Sequence, residues 1–160
     1  MGLRLNPRRY VAMAGLIGVS WFAMQAVHEL GHVLAAWATG GTVQRVVLSP
    51  LEISRTDVSP NPRPLIVAWA GPLMGVALPL AAAAMSCGRR SIRRAATFFA
   101  GFCLIANGVY IGVGSFEGVG DAGDMLRHGS PQGLLIAFGL AAVVGGLWMW
   151  HALGRPARPK

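Results

Sequence analysis

The segment His28-Glu29-Leu30-Gly31-His32 combines the residue types of a metal site with a spacing that suits a helix. Residues four apart lie on one face of a helix, so His28 and His32 can direct both imidazoles toward a single divalent cation. Glu29 lies beside them and can act as a general base on water. The pattern therefore predicts a Zn²⁺ site with hydrolytic chemistry.

A catalytic zinc site takes three protein ligands and keeps one position open, so the two histidines need a third partner. The remaining candidates are His128, His151, Glu117, Asp121 and Asp124. His151 ends the last apolar stretch and is typical of an interfacial anchor, whereas Glu117 and His128 are candidates for supporting groups. Asp121 and Asp124 have small residues between them that let the chain bend into the site, and either can be the third ligand.

The composition places these residues in a membrane. Of 160 residues, 54% are hydrophobic and only 12% are charged, and the mean hydropathy is +0.52. A soluble domain carries about 25% charged residues, so most of this surface must face lipid. A carboxylate inside a membrane helix is unfavourable by about 2.5–3.5 kcal/mol, which favours a functional role for Glu29.

Long uncharged stretches predict an all-α membrane protein with four transmembrane helices, each with the roughly 20 residues needed to cross a bilayer. The predicted spans are about 10–39, 64–87, 92–115 and 131–153. We expect the first to be retained as a helix rather than removed as a signal peptide, because no small-residue cleavage site precedes His28. The chain is expected to form one membrane-embedded domain over residues 1–160.

Two connections have their own chemistry. The β-prone segments 43–48 and 51–54 predict a short interfacial β-hairpin or ribbon at about 42–58, between the first two helices. Segment 115–130 is rich in glycine and acid and predicts the loop that carries the ligand candidates.

The basic residues give a net charge of +8 but lie in short clusters between uncharged runs, which indicates juxtamembrane anchors and a lipid bilayer as partner, with no nucleic acid. Cys87 and Cys103 fall in or beside apolar runs and are predicted to be small buried residues without a disulfide. Ten of the fourteen basic residues lie on the side of the termini, which predicts cytoplasmic termini. These ten are Arg4, Arg8, Arg9, Arg89, Arg90, Arg93, Arg94, Arg155, Arg158 and Lys160.

The motifs of this chain resemble those of the site-2 protease family of intramembrane zinc metalloproteases. The segment at 28–32, late in a membrane helix, is similar to the zinc-binding helix of that family. Ala70-Gly71-Pro72-Leu73 resembles its central-helix motif, with Gly75 where the family often carries asparagine. Asp121-Ala122-Gly123-Asp124 is similar to its aspartate-glycine-glycine segment. The resemblance covers about residues 10–128 and implies a minimal member of the family.

The resemblance implies Zn²⁺ held by His28, His32 and Asp121, with Asp124 as the alternative ligand and Glu29 as the catalytic base. Asn107 and His128 are candidates for oxyanion or supporting groups. The resemblance also implies that the ribbon pairs with an unwound membrane-protein or peptide substrate. It places the site toward the cytoplasm, whereas the charge bias, which we favour, places it toward the opposite face.

Two other classes of function fit parts of the pattern. A metal-binding membrane protein without hydrolysis, either a carrier or a pseudoprotease scaffold, would use the same two histidines. A carrier needs polar groups along a path through the bilayer, and the spans offer little beyond Gln25, Cys103 and Asn107. A structural membrane subunit leaves Glu29 unexplained, so the sequence favours the protease.

Overall fold

Four long apolar helices dominate the computed structural model, which describes residues 7–49, 51, 53–86 and 88–155. The elements in chain order are α1 (Pro7–Ala38), β1 (Val43–Val47), β2 (Arg55–Val58), α2 (Pro64–Met85), α3 (Arg90–Glu117), α4 (Gly120–Arg127) and α5 (Gln132–Gly154). Helices α1, α2, α3 and α5 are each long and apolar enough to cross a membrane. The predicted all-α, multi-pass membrane fold is confirmed. Predictions for Arg4, Cys87, Arg158 and Lys160 lie outside the described residues, as do Pro50 and Glu52 of the predicted ribbon.

Local sequence sets the ends of the first two helices. Helix α1 ends at Ala38 because Gly40 adopts a left-handed φ of 78°, and the Gly41 N–H then donates to Ala36 O at 2.7 Å. Helix α2 begins at Pro64, where the missing N–H of proline removes no intrahelical hydrogen bond. The ribbon is therefore held between two fixed helix ends.

The predicted ribbon is present as a two-stranded antiparallel sheet, in which Val46 faces Thr56 and Val47 faces Arg55. The prediction of residues 51–54 as its second strand is wrong, because the strand begins only at Arg55. The side chains of β2 alternate between exposed and half-buried, as a half-covered strand requires. Leu51, one of the residues for which segment 51–54 was expected to form a strand, is 93% exposed.

Segment 115–130 is not the predicted loop, since it contains the end of α3 and the short helix α4. Gly123 lies where a Cβ would come within 2.2 Å of Gly118 O, so this glycine serves close packing. Ala122 and Met125 on the same helix are fully buried. They pack in one cluster with Ala68 of α2, Ile111 of α3 and Leu135 of α5. Helix α4 is therefore packed mainly against α2 and α3, with Leu135 of α5 in the same cluster.

Glycines allow the long helices to approach closely. A Cβ at Gly31 of α1 would lie 2.3 Å from Ala70 O of α2. A Cβ at Gly108 of α3 would lie 2.8 Å from Gly139 O of α5, and one at Gly146 of α5 would lie 2.6 Å from Gly101 O. Small residues at such interfaces permit the backbone contact on which helix association in lipid depends. Two tight pairs, α1 with α2 and α3 with α5, form the bundle.

The charge bias predicts which side of the membrane the α2–α3 turn occupies. In a chain whose native cysteines are replaced, Arg89→Cys should be protected from an impermeant thiol reagent in intact cells, whereas Arg63→Cys on the ribbon side should be labelled. Both arginines are exposed, so access through the membrane is the variable that differs. Labelling of Arg89→Cys with protection of Arg63→Cys would reverse the orientation.

Candidate metal centre

His28 and His32 lie on one face of α1, and each is only 5% exposed. Their Nε2 atoms are 3.1 Å apart and the two rings meet edge to face. The four-residue spacing on a regular helix produces this convergence, as the sequence predicts. The imidazoles therefore point at one location in the bundle.

The other ring nitrogen of each histidine is held by a carbonyl oxygen. His32 Nδ1 lies 2.7 Å from Val67 O of α2, and His28 Nδ1 lies 2.7 Å from Asn107 Oδ1 of α3. The Asn107 amide nitrogen donates to Cys103 O at 2.9 Å, which fixes the orientation of this amide. Because a carbonyl only accepts, both Nδ1 atoms must donate their protons. In the neutral imidazoles, both Nε2 atoms then carry a lone pair, as ligands of a metal do.

Asp121, in the first turn of α4, completes the convergence. Its Oδ2 lies 2.7 Å from His28 Nε2 and 3.2 Å from His32 Nε2. Burial by itself would raise the pKa of Asp121. When no metal ion is bound and the Nε2 atoms carry protons, their hydrogen bonds and charges outweigh burial and hold the pKa of Asp121 well below its usual range. The Asp121 N–H donates to Tyr110 Oη at 3.2 Å, which ties this turn of α4 to α3.

This donor set fits a divalent cation. Two imidazole lone pairs and a carboxylate oxygen face one another within 3.2 Å, an arrangement of acceptors that repel unless a proton or a metal ion lies among them. Around tetrahedral zinc, with ligands at about 2.0–2.2 Å, neighbouring ligand atoms are about 3.3–3.6 Å apart. The observed separations need only a small expansion to reach that range.

Glu29 is 2% exposed and lies beside the histidines, although it is less central than Asp121. The ligand atoms of His28, Glu29 and His32 all lie within 4.8 Å of one another, whereas Asp121 contacts both imidazoles directly. Glu29 Oε2 instead accepts a hydrogen bond from Thr56 Oγ1 of β2 at 2.6 Å. Asp121 is thus the carboxylate in direct contact with both imidazoles, and Glu29 lies beside them.

The other predicted candidates lie farther from the imidazoles. Asp124 is half exposed and pairs with Arg127, and His128 Nδ1 bonds Asp124 O at 2.8 Å while its side chain is exposed. Glu117 and His151 are exposed, at the end of α3 and in the last turn of α5. The structure therefore brings together His28, Glu29, His32, Asp121 and Asn107, and leaves Asp124 and His128 on the wall of a neighbouring cavity.

Glycines of α2 make room for the centre. A Cβ at Gly71 would lie 2.3 Å from His32 Nε2 and 2.7 Å from His28 Nε2. A Cβ at Gly75 would lie 2.7 Å from both polar atoms of the Asn107 side chain. The glycine at position 75, where the resembled family often carries asparagine, thus leaves the space that an amide from α3 fills.

Two cavities reach the site. The larger, of about 770 Å³, is lined by the continuous segment 53–59 together with His32, Tyr110 and Asp121. The smaller, of about 390 Å³, is mainly apolar and lies between α1 and α3, where Trp21, His28 and Val109 line it. The metal centre is therefore reachable from the ribbon and from a lipid-compatible surface.

Thr56, Val67 and Tyr110 are site residues that the sequence analysis missed. Tyr110 follows Asn107 by three positions, so the two polar residues share one helix face, and this signal could have revealed it. The contacts of Thr56 and of the Val67 carbonyl depend on how α1 meets β2 and α2. No local pattern encodes them.

Residues 10–112 of the chain match the family model described as peptidase M50B-like. The match covers more than half of the chain and includes His28, Glu29, His32 and Asn107, and it ends before α4. No curated protein and no solved structure matches the chain.

The two aspartates of α4 provide a matched test of the third ligand. Asp121→Ala should lower the zinc content of the purified protein strongly, because it removes the carboxylate in contact with both imidazoles. Asp124→Ala should leave zinc near stoichiometric, because its carboxylate pairs with Arg127. Metal analysis after dialysis measures both, and the reverse result would move the ligand to Asp124.

Proposed function

The chain belongs to the peptidase M50B-like family, in agreement with its resemblance to the site-2 proteases, and from that premise we propose that it is an intramembrane zinc metalloprotease. The observation that carries the proposal is the meeting of two imidazole lone pairs and the Asp121 carboxylate beside Glu29, late in a membrane helix. The reaction is hydrolysis of a peptide bond in a membrane-associated substrate.

His28, His32 and Asp121 would hold the zinc ion. When bound, zinc lowers the pKa of a coordinated water to about 7 and polarises a carbonyl oxygen. The protein supplies the orientation. Asn107 and the Val67 carbonyl fix the two rings by their Nδ1 atoms, which makes the opposite nitrogens better ligands.

Glu29 is the proton carrier of the proposed mechanism. Thr56 donates to Oε2 of Glu29, so Oε1 is the oxygen left to accept a proton from the attacking water. The same carboxyl group then passes this proton to the amide nitrogen of the leaving group. Such proton transfers contribute typically 10²–10⁴-fold to a rate.

Three groups are candidates for stabilising the negative oxygen that develops on the substrate. The Asn107 oxygen accepts from His28 and one of its amide hydrogens donates to Cys103 O, so its second amide hydrogen is left for a substrate oxygen. Tyr110 Oη accepts the Asp121 N–H, so its own proton is available to a substrate oxygen in the large cavity. His128 lies on the wall of the same cavity, but its Nδ1 already donates to Asp124 O, so its Nε2 donates only when both ring nitrogens carry a proton.

The substrate is proposed to bind as an extended strand along β2. A helical peptide hides its carbonyl groups in its own hydrogen bonds, so cleavage requires an unwound segment whose backbone finds new partners. The edge of β2 that does not pair with β1 is available for this, and residues 53–59 line the cavity that contains His32 and Asp121. Strand addition at this edge would bring a peptide bond past the centre.

Glu29→Gln tests hydrolysis against binding alone. The variant should retain zinc and lose about 10²–10⁴-fold in turnover, because glutamine cannot accept the proton. Membrane peptides that accumulate uncut in cells carrying Glu29→Gln identify a substrate, whose cleavage is then followed with detergent-solubilised wild-type protein. Cleavage should stop with a chelator. Turnover unchanged by Glu29→Gln would remove Glu29 as the base, and insensitivity to the chelator would contradict the metal. If the wild type cleaves none of the accumulated peptides, a non-hydrolytic metal-binding protein is the better description.

Thr56→Val tests whether the ribbon positions the base. Valine keeps the shape of threonine but removes the donor to Glu29, so kcat should fall by about tenfold or more, as expected for loss of a hydrogen bond to a charged group. Zinc content should not change, because Thr56 does not touch the imidazoles. Thr56→Ser retains the hydroxyl and should restore most of kcat; equal loss in both variants would assign Thr56 a packing role only.

A further inference from the structure

A basic cleft of about 510 Å³ lies between the start of α3 and the end of α5, at the end of the bundle away from the ribbon. Four arginines line it, with Arg90, Arg93 and Arg94 from the first turns of α3 and Arg155 directly after α5. The metal centre makes no use of these residues. We call this feature the basic cleft.

The positive charge of the basic cleft is uncompensated within the described residues. No acidic side chain lines it, and the acidic residues that the structure describes lie at the metal centre, on the ribbon or near α4. The first turn of α3 contains no acid, and its N-terminus has no side-chain cap. The first N–H groups of a helix have no intrahelical partner, and together with the helix dipole they make the potential at this end positive. Three arginines on the same turns raise that potential further, which is unfavourable. An anion bound here would lower the potential.

The walls of the basic cleft are held in place without a ligand. The rings of Phe98 and Trp150 stack with centroids 5.3 Å apart, and Trp150 Nε1 donates to Phe98 O at 3.0 Å. Arg94 Nη2 donates to Leu153 O at 3.3 Å, which ties the two helices at the cleft itself. The helix ends that carry the arginines are therefore held together before binding, so a ligand has only exposed side chains left to order.

We propose that the basic cleft binds the phosphodiester of an anionic phospholipid headgroup. Helices α3 and α5 are both candidate membrane spans, so their ends lie where the hydrocarbon gives way to headgroups. Guanidinium groups match the oxygens of a phosphodiester through paired N–H donors. A lipid brings its phosphate to this depth, whereas a soluble anion has to be recruited from bulk water.

Convergence distinguishes the basic cleft from arginines that only set the orientation of a chain. Orientation requires positive charge on one side of the membrane and places no demand on where the side chains meet. Here the arginines of α3 share one cavity with Arg155, which follows α5 and is more than sixty positions away in the sequence. The basic cleft should therefore select among lipids, which a diffuse charge does not.

Native mass spectrometry of the purified full chain in detergent tests the proposal. With phosphatidylglycerol and phosphatidylcholine of identical acyl chains, the wild type should retain phosphatidylglycerol preferentially. Arg90→Gln/Arg93→Gln should weaken that adduct by roughly 25-fold, at about fivefold for each arginine. The control Arg45→Gln/Arg63→Gln removes the same charge at the ribbon end and should bind like the wild type.

Equal weakening in the two double variants would overturn the proposal, as would equal retention of the two lipids by the wild type. Glycerophosphoglycerol, the same headgroup without acyl chains, should compete poorly, and effective competition would exclude a lipid ligand. If Arg90→Gln/Arg93→Gln loses its fold, judged by thermal unfolding, Arg155→Gln replaces it, because Arg155 lies after α5 and leaves α3 intact. No loss of the adduct in that variant would also contradict the proposal.

Discussion

Three acceptor atoms that need a proton or a cation between them are the constraint on which this structure depends. The Nε2 atoms of His28 and His32 and the Asp121 carboxylate converge within 3.2 Å in a largely buried part of the bundle, where their repulsion is screened less than at an exposed surface. Their opposite nitrogens are already committed to carbonyl oxygens. A cation at this point would turn the repulsion into attraction, so the fold and a bound metal would stabilise each other.

Residues of the surrounding helices leave space for the two imidazoles and hold them in place. Gly71 leaves space beside the imidazoles, and Gly75 leaves space for Asn107. A side chain at position 75 would occupy the space of the Asn107 amide, which α3 supplies to orient His28. The packing therefore accounts for Gly75, which the sequence alone leaves unexplained.

The sequence predicts features that local physics determines. Four spans follow from hydrophobic length, and the convergence of His28 with His32 follows from helical periodicity. The sequence does not locate the strand at 55–58, because its polar residues acquire β-structure only by pairing with β1. It predicts a loop in place of helix α4, because glycine normally signals flexibility, whereas Gly123 is required by contact with Gly118. Thr56 could not be found, since its partner is 27 positions away.

Helix α5 shows how an element without a side chain at the metal centre can still define it. Leu135 is fully buried in the cluster that holds α4, and α4 carries Asp121. Gly139 and Gly146 set the distance to α3, and α3 carries Asn107 and Tyr110. One ligand and the support of another thus depend on the α3–α5 interface, while His32 depends on α2 through the Val67 carbonyl. Because the two helix pairs meet through α2 and α3 as well as around the imidazoles and α4, a shift of one pair against the other changes the geometry of the site, and the close glycine contacts within each pair limit such shifts.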